Sequence, residues 1–176
     1  IDRPNKYLTT EILNELLYAR KFCHPNLIKY RDIFLEPDRV LIVMDRAMGD
    51  LTKINLINNE TLFTDLAFQM ISGISYLASH NIIHRDIKPQ NILYTQDQSG
   101  IRFQITDFGL AIGRESLFEI REYNVYTLPY RPPEVIVKNP YTTKADVWAL
   151  GCTLYEVYTG NCLFSIQSEA ELLYSI

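Results

Sequence analysis

The chain has 176 residues, of which 47% are hydrophobic and 22% are charged, an ordinary composition for a single globular domain. The formal net charge is −4 and there is no basic run, so direct binding to nucleic acid or to an anionic membrane is not supported. No apolar run approaches the roughly 20 residues of a membrane span, and the three cysteines form no C-x-x-C pair, which favours buried thiols in a reducing compartment.

The first predicted helix covers residues 11–20, and Thr9 and Thr10 before it offer N-caps. One face of this helix carries apolar residues at three- and four-residue steps, namely Ile12, Leu16, Ala19 and Cys23. Glu15 lies at the border of that face, and a carboxylate at a buried edge needs a cationic partner. The alternative for Glu15 is a solvated position on the helix surface.

Four stretches are predicted to form strands, in two pairs. The first pair covers residues 27–34 and 39–45, and the second pair covers residues 92–94 and 103–106. From Val40 onward, the second strand is a continuous apolar run, which is typical of a buried strand.

Three more helices are predicted further along the chain. The clearest covers residues 61–80, and its apolar face consists of Phe63, Leu66, Met70, Ile74 and Leu77. A buried helix is expected over residues 146–160, and a last helix begins at residue 168.

Two polar motifs follow the long helix. The sequence H-R-D-I-K-P-Q-N begins at His84, and D-F-G begins at Asp107, sixteen residues after Asn91. Asp86 can accept the proton of an attacking hydroxyl, Lys88 can neutralise a phosphate, and the oxygens of Asn91 and Asp107 suit Mg²⁺. A polar turn between two strands is the alternative, but each motif constrains the other and chance is a poor explanation of both.

Together with T-L-P-Y-R-P-P-E, which begins at Thr127, these motifs resemble those of eukaryotic protein kinases. Lys88 is similar to the serine/threonine type, and the Thr127 motif to cyclin-dependent kinases and their relatives. The resemblance runs from Glu11 to the last residue. It implies an α+β, two-lobed protein kinase-like fold that lacks the first strands of the small lobe and the last helices of the large lobe. Residues 1–45 would form part of the small lobe and residues 46–176 part of the large lobe.

The resemblance also implies an activity, the transfer of the γ-phosphate of ATP to serine or threonine of a protein. Asp86 would be the base and Lys88 the cation at the phosphate, while Asn91 and Asp107 would bind Mg²⁺. Thr127 would bridge Asp86 and Lys88.

Two further positions support this site by resemblance. Glu15 corresponds to the helix glutamate that pairs with a strand lysine, and that lysine would lie about three residues before Ile1, with the glycine-rich phosphate loop further upstream. Asp146 would bind the backbone of the catalytic loop. The 176-residue chain alone is therefore expected to have little or no kinase activity.

The resemblance assigns seven residues to the nucleotide site: Met44 beside the adenine, the backbone of Asp45 and Ala47 at its edge, Asp50 at the ribose, Leu93 on the other adenine face, and Lys88 and Gln90. Plain core packing is the simpler role for Met44, and it is compatible with a place beside the adenine.

The segment after D-F-G departs from the relatives. Glu122 stands where they carry a phosphorylated threonine, and the three arginines that bind that phosphate correspond to Asn14, Arg85 and Ile112. A carboxylate carries less charge than a phosphate and needs fewer donors, so Glu122 is expected to face Arg85 without phosphorylation. The alternatives are drift in an inactive kinase, or Arg114 in place of a missing arginine.

Substrates and partners follow from the same resemblance. Arg131 matches the arginine that lets relatives accept proline after the target residue, so proline-directed protein substrates are expected. Leu13 stands where cyclin-dependent kinases present an isoleucine to a cyclin, so a divergent cyclin-like activator could dock there. We expect an intracellular protein, in the cytoplasm or nucleus, without nucleic-acid or membrane partners. The rival hypothesis is a pseudokinase that acts as a scaffold.

Overall fold

The computed structural model of the chain describes residues 9–19, 21–36, 39–98, 100–113 and 123–176. These residues form a small part with one helix and a two-stranded sheet, and a larger part with four helices and a three-stranded sheet. The helices are α1 (Thr10–Ala19), α2 (Glu60–Ser79), α3 (Pro133–Ile136), α4 (Lys144–Thr159) and α5 (Glu169–Ser175). The strands are β1 (Tyr30–Leu35), β2 (Val40–Met44), β3 (Gly49–Asp50), β4 (Ile92–Asp97) and β5 (Gly100–Ile105).

Helix α1 begins as predicted but ends earlier. The Thr9 hydroxyl accepts a hydrogen bond from the Ile12 N–H at 3.4 Å, which is the expected N-cap contact. The helix stops before Cys23, which is exposed, so the prediction that Cys23 continues the apolar face is wrong. The helix ends in a tighter turn, in which the Lys21 N–H donates to the Tyr18 carbonyl three residues back, at 3.0 Å. Among the helix side chains whose burial is described, Tyr18 is the buried one.

The sheet of the small part is an antiparallel pair of β1 and β2, with a register shift between Tyr30 and Asp32. The prediction that the second strand is buried is wrong, because its residues alternate between half-buried and exposed. In the part of the chain that the structure describes, this sheet has only two strands, and Ile33 and Ile42 pack against the core. A strand that packs on one face shows this alternation rather than full burial.

Helix α2 is the long helix predicted from the apolar pattern, displaced by one residue. Its N-cap is Asn59, whose side chain accepts the Leu62 N–H at 3.1 Å. Four of the five predicted core residues are buried, namely Leu66, Met70, Ile74 and Leu77, whereas Phe63 is half-buried. The helix packs against β5 on one side and α4 on another.

The second predicted strand pair is confirmed and is longer than expected. Strands β4 and β5 pair antiparallel, with Ile92 opposite Ile105, and β3 adds to the other edge of β4. Asn26 ties the small part to this sheet, since its side chain donates to the Phe103 carbonyl at 3.0 Å and its carbonyl accepts the Ile105 N–H at 2.9 Å. The start of β4 and the end of β5 therefore lie side by side, where the two polar motifs meet.

Helix α4 begins two residues before the predicted start and ends at Gly160, which adopts a left-handed conformation with φ of 75°. Its buried face includes Asp146 and Cys152. Cys152 is the buried thiol, whereas Cys23 and Cys162 are exposed, so the expectation of buried thiols is wrong for two of the three. None of the helices in the described ranges is long and apolar enough to cross a bilayer.

Candidate active site

Three residues predicted to act in catalysis form a closed set of contacts. The Lys88 ammonium lies 2.7 Å from Asp86 Oδ2. The Thr127 hydroxyl donates to Asp86 Oδ1 at 2.9 Å and accepts from Lys88 Nζ at 3.0 Å. Thr127 thus bridges the acid and the cation, which is the contact expected from the sequence.

The Asp86 carboxyl is largely buried, and burial alone would raise its pKa. The hydrogen bonds from Lys88 and Thr127, with the positive charge of Lys88, outweigh burial and leave the pKa of Asp86 below its ordinary value. Asp86 is therefore a carboxylate at neutral pH. It can accept a hydrogen bond from an incoming hydroxyl.

Asn91 and Asp107 lie at the neighbouring ends of β4 and β5, because the Asn91 carbonyl accepts the Thr106 N–H at 3.0 Å. The Asn91 amide nitrogen donates to the Asp86 carbonyl and to Asp86 Oδ2, both at 2.9 Å. Its amide oxygen therefore points away from Asp86. Asp107, two residues beyond the end of β5, has a left-handed backbone with φ of 65°.

The donor set at Asn91 and Asp107 fits Mg²⁺. Amide and carboxylate oxygens are its preferred ligands, and protein sites usually hold this ion through one or two carboxylates with water and substrate phosphates. Within the described ranges, no cluster of three or more histidine, cysteine, aspartate or glutamate side chains could hold a metal by itself. Two oxygen donors of this kind suit an ion whose other ligands are water and nucleotide phosphates.

The buried Asp146, which is 1% exposed, binds the backbone of the loop that begins at His84 and ends at Asn91, here called the catalytic loop. Asp146 Oδ2 accepts the His84 N–H at 2.7 Å and Oδ1 accepts the Arg85 N–H at 3.0 Å, as predicted. His84 makes a contact that the sequence did not suggest. Its Nδ1 accepts the Asp86 N–H at 3.2 Å and its Nε2 donates to the Thr106 carbonyl at 3.0 Å, so the ring links the backbone of Asp86 to the residue after β5.

Glu15 is half-buried, so the alternative of a solvated helix glutamate is wrong. The Tyr30 hydroxyl donates to its Oε1, while its Oε2 is buried and has no hydrogen-bond partner among the described residues. Burial, with the nearby Asp107 carboxylate, raises the pKa of Glu15 to about 7. Glu15 and Asp107 line a cavity of about 210 Å³, together with Glu11.

The residues assigned to the nucleotide site lie on the segment that runs from the end of β2 to the start of β4. Met44 is 39% exposed, so core packing does not account for it. Asp50 pairs with Leu93 across β3 and β4, and its carboxylate also caps the short turn Leu51–Lys53 by accepting the Thr52 N–H at 2.8 Å. Ala47 is half-buried, Gln90 is exposed, and Asp45 forms an ion pair with Arg31 at 2.6 Å.

All three positions that correspond to phosphate-binding arginines in relatives make contacts within the chain here. The Asn14 amide donates to the Gly109 carbonyl at 3.0 Å, and Ile112 forms a backbone bridge with Ile83. Arg85 donates from Nε to the Leu110 carbonyl at 2.5 Å. Glu122 and Arg114 lie outside the described residues, so the pairing of Glu122 with Arg85 stays a prediction.

Arg131 fixes the backbone before Thr127. Its Nε and Nη2 donate to the Tyr126 carbonyl at 3.2 and 2.8 Å, and its Nη1 pairs with Glu169 of α5. Two partners are not evident from the sequence: Glu169, and the hydroxyl of Tyr126, which donates to Asp146 at 3.0 Å. Both partners lie far away in sequence, and no local pattern marks them.

A profile of the protein kinase domain matches residues 2–176. The chain belongs to the protein kinase domain family. Among solved structures, this kinase domain resembles one described as "Crystal Structure of the yeast RNA Pol II CTD kinase CTDK-1 complex", with 31% identity and a TM-score of 0.84 over 97% of this chain and 57% of that one. This likeness confirms the predicted protein kinase-like fold.

Curated relatives of this kinase domain include cyclin-dependent kinases, as the resemblance predicted. It is 35% identical to "Cyclin-dependent kinase 4 homolog" of Caenorhabditis elegans over 100% of its length and 46% of the relative. It is 31% identical to "Cell division control protein 2 homolog 3" of Trypanosoma brucei brucei (100% and 57%) and 30% identical to "Serine/threonine-protein kinase ATG1b" of Arabidopsis thaliana (99% and 25%). The chain thus spans between about a quarter and just over half of these relatives.

Proposed function

We propose that the protein transfers the γ-phosphate of ATP to serine or threonine hydroxyls of other proteins. The observation that carries this proposal is the contact set of Asp86, Lys88 and Thr127, in which an ionised carboxylate lies next to an ammonium group and a hydroxyl. Phosphoryl transfer depends mostly on positioning and on charge stabilisation. In this contact set, the Asp86 carboxylate can position the attacking hydroxyl and the Lys88 ammonium can stabilise negative charge.

Asp86 acts first by orientation. Because its pKa lies below the ordinary value, Asp86 is a weak base, and its main contribution is to align the attacking hydroxyl. Thr127 and Lys88 each donate to one of its two oxygens, which fixes the plane of the carboxylate. As the hydroxyl oxygen bonds to the γ-phosphorus, the bond from that phosphorus to the bridging oxygen breaks and ADP leaves. The new bond makes the hydroxyl proton more acidic, and Asp86 accepts it.

Lys88, Asn91 and Asp107 form the charged surroundings of the phosphate. Lys88 places its ammonium beside the hydroxyl that Asp86 orients, where it stabilises negative charge on the transferring group. Asn91 and Asp107 would hold Mg²⁺. When bound, the ion neutralises the phosphate oxygens and orients the nucleotide.

The acidic lining of the cavity beside Glu15 supports a role for a positively charged side chain that enters it from elsewhere in the protein. Three acidic side chains, Glu11, Glu15 and Asp107, line it, and the Glu15 Oε2 atom has no partner among the described residues. A lysine amine of the full-length protein would satisfy Glu15 and lower its pKa. The expectation that the 176-residue chain alone has little activity rests on the Glu15 carboxylate, which has no cationic partner among the described residues, and it stays a prediction.

Specificity for proline after the target residue is supported by Arg131. The Tyr126 carbonyl already accepts two hydrogen bonds from the Arg131 guanidinium, so it is a poor acceptor for a substrate N–H. A substrate residue with an N–H at this point would leave that group unsatisfied, whereas proline has no N–H to lose. We therefore assign proline-directed substrates to this protein.

A cyclin-like activator is the partner that the exposed face of α1 supports. Leu13 and Leu17 are 51% and 62% exposed and lie four residues apart, so they form one apolar stripe on the helix. Recovery of the full-length protein from its native cell without any cyclin-fold protein would count against this partner.

The test of the proposed function is a transfer assay on the full-length protein with Mg-ATP and a degenerate peptide library. We expect phosphoserine and phosphothreonine products. Asp107→Asn should lower the rate at least about 100-fold, and the matched control Asp65→Asn, at an exposed aspartate of α2, should not. A wild-type protein that binds nucleotide but transfers no phosphate would overturn the proposal and favour the scaffold.

A further inference from the structure

Tyr126 makes a contact inside the core that the proposed function does not use. It is 3% exposed, and its hydroxyl donates to Oδ1 of Asp146 at 3.0 Å. The same oxygen accepts the Arg85 N–H at 3.0 Å. One buried carboxylate oxygen therefore binds both the catalytic loop and the segment that carries Thr127.

The two residues joined by this oxygen share an unfavourable backbone conformation. Arg85 has φ of 69° and Tyr126 has φ of 62°, which are left-handed values that residues other than glycine rarely adopt. Each directly precedes a residue of the contact set, since Arg85 comes before Asp86 and Tyr126 before Thr127. Such conformations persist only where the surroundings enforce them.

The surroundings enforce both conformations together. The Tyr126 N–H donates to the Arg85 carbonyl at 3.0 Å, so the two backbones run side by side. Asp146 binds the N–H of Arg85 and the hydroxyl of Tyr126, and Arg131 binds the Tyr126 carbonyl. Each backbone is thus fixed on both sides.

The hydroxyl of Tyr126 keeps its proton and therefore remains a hydrogen-bond donor. Burial, with the adjacent Asp146 carboxylate, raises the pKa of Tyr126 well above its ordinary value, so the phenol keeps its proton. The ring itself packs edge-on against Tyr141, which fixes the direction of the hydroxyl.

We propose that Tyr126 is a positioning residue, whose hydroxyl on Asp146 aligns the Arg85–Asp86 backbone with the Tyr126–Thr127 backbone and so sets the Thr127–Asp86 contact. This role rests on the proposed phosphoryl transfer. It links the segment that receives the substrate to the loop that carries the base. A shift in one of them moves the other, because the shared Asp146 oxygen and the Tyr126–Arg85 backbone hydrogen bond both join them.

The experiment compares Tyr126→Phe with wild type in the full-length protein, because phenylalanine keeps the ring and removes only the hydroxyl. The matched control is Tyr76→Phe on α2, which also removes one tyrosine hydroxyl bonded to the protein, here to the Cys23 N–H at 3.3 Å. Three quantities are measured: the melting temperature, kcat and KM for ATP and peptide, and site-resolved hydrogen exchange at the amides of Arg85 and Tyr126.

We expect kcat of Tyr126→Phe to fall about tenfold while KM for ATP changes less than about twofold, with faster exchange at both amides. Tyr76→Phe should show a comparable melting temperature and wild-type kcat. An unchanged kcat in Tyr126→Phe would overturn the role, as would equal losses of kcat in both variants. If the wild-type protein transfers no phosphate, the proposed function fails, and hydrogen exchange alone tests the Tyr126–Asp146 contact. Faster exchange at the two amides in Tyr126→Phe then supports the alignment, and unchanged exchange overturns it.

Discussion

At the scale of single residues, the Glu15 carboxylate lacks one hydrogen-bond partner among the described residues. One oxygen of its carboxylate accepts from Tyr30, and the other is one of two buried polar side-chain atoms without a hydrogen-bond partner among the described residues. An unpaired buried charge is costly, and the group responds by holding its proton. The raised pKa of Glu15, about 7, is the consequence.

This pKa predicts how the stability of the 176-residue chain depends on pH. The folded chain keeps the Glu15 proton up to about pH 7, whereas the unfolded chain releases it near the ordinary value of 4.5. Between these values the folded state binds more protons, so the free energy of unfolding should fall as pH rises through this window. Denaturant unfolding at pH 5 and pH 8 measures the change.

Glu15→Gln should remove this dependence and raise the free energy of unfolding at pH 8 by roughly 1 kcal/mol, less than the full shift because the side chain is only partly buried. The control is Glu11→Gln on the same helix, whose exposed carboxyl has a lowered pKa and does not titrate in this window. A pH profile that is the same in Glu15→Gln and wild type would contradict the account of this residue.

At the scale of elements, helix α2 shows how a side chain sets a boundary. The apolar pattern alone placed its start at Thr61, but Asn59 satisfies the Leu62 N–H and the helix begins at Glu60. N-cap bonds of this kind contribute about 1 kcal/mol. Thr61 is the second residue of the helix, and its side chain is exposed.

Asn59→Ala should therefore lower the free energy of unfolding by about 1 kcal/mol, because an N–H at the start of α2 loses its acceptor. Thr61→Ala is the matched control and should be neutral or slightly stabilising, since alanine is the better helix former. Chemical denaturation of both variants measures the difference. Equal effects would mean that Asn59 does not define the start of the helix.

The link between α5 and the segment before Thr127 makes a prediction about substrate choice. Arg131→Lys keeps the charge beside Glu169 but cannot reproduce the forked contact with the Tyr126 carbonyl. The preference for Ser-Pro over Ser-Ala peptides should fall about tenfold. Glu169→Gln should lower it only about two- to threefold, because that ion pair is partly exposed. A wild-type protein with no preference for proline would refute the assignment.

At the scale of the whole molecule, sequence reasoning recovered the features that local patterns encode. Short polar motifs singled out Asp86, Lys88, Asn91 and Thr127, which the structure joins by direct contacts, and Asp107 at the neighbouring strand end. The apolar pattern located α2 and the second strand pair. These signals work because each depends on residues close together in the chain.

The features it missed depend on residues far apart. Tyr126 and Asp146 are 20 positions apart, and Arg131 and Glu169 are 38 apart, so no local spacing indicates either contact. The exposure of β2 depends on how many strands its sheet has, which an apolar run does not show. Such properties arise only when separate elements pack.

The central claim is that Asp86 orients the hydroxyl that attacks ATP, and one variant tests it most directly. Asp86→Asn keeps the size of the side chain and removes its charge, so in the full-length protein we expect turnover to fall by about 10³-fold or more while the Kd for ATP stays within about threefold. Rapid-quench transfer and nucleotide titration on the same sample measure both. Transfer by Asp86→Asn at the wild-type rate would contradict the account.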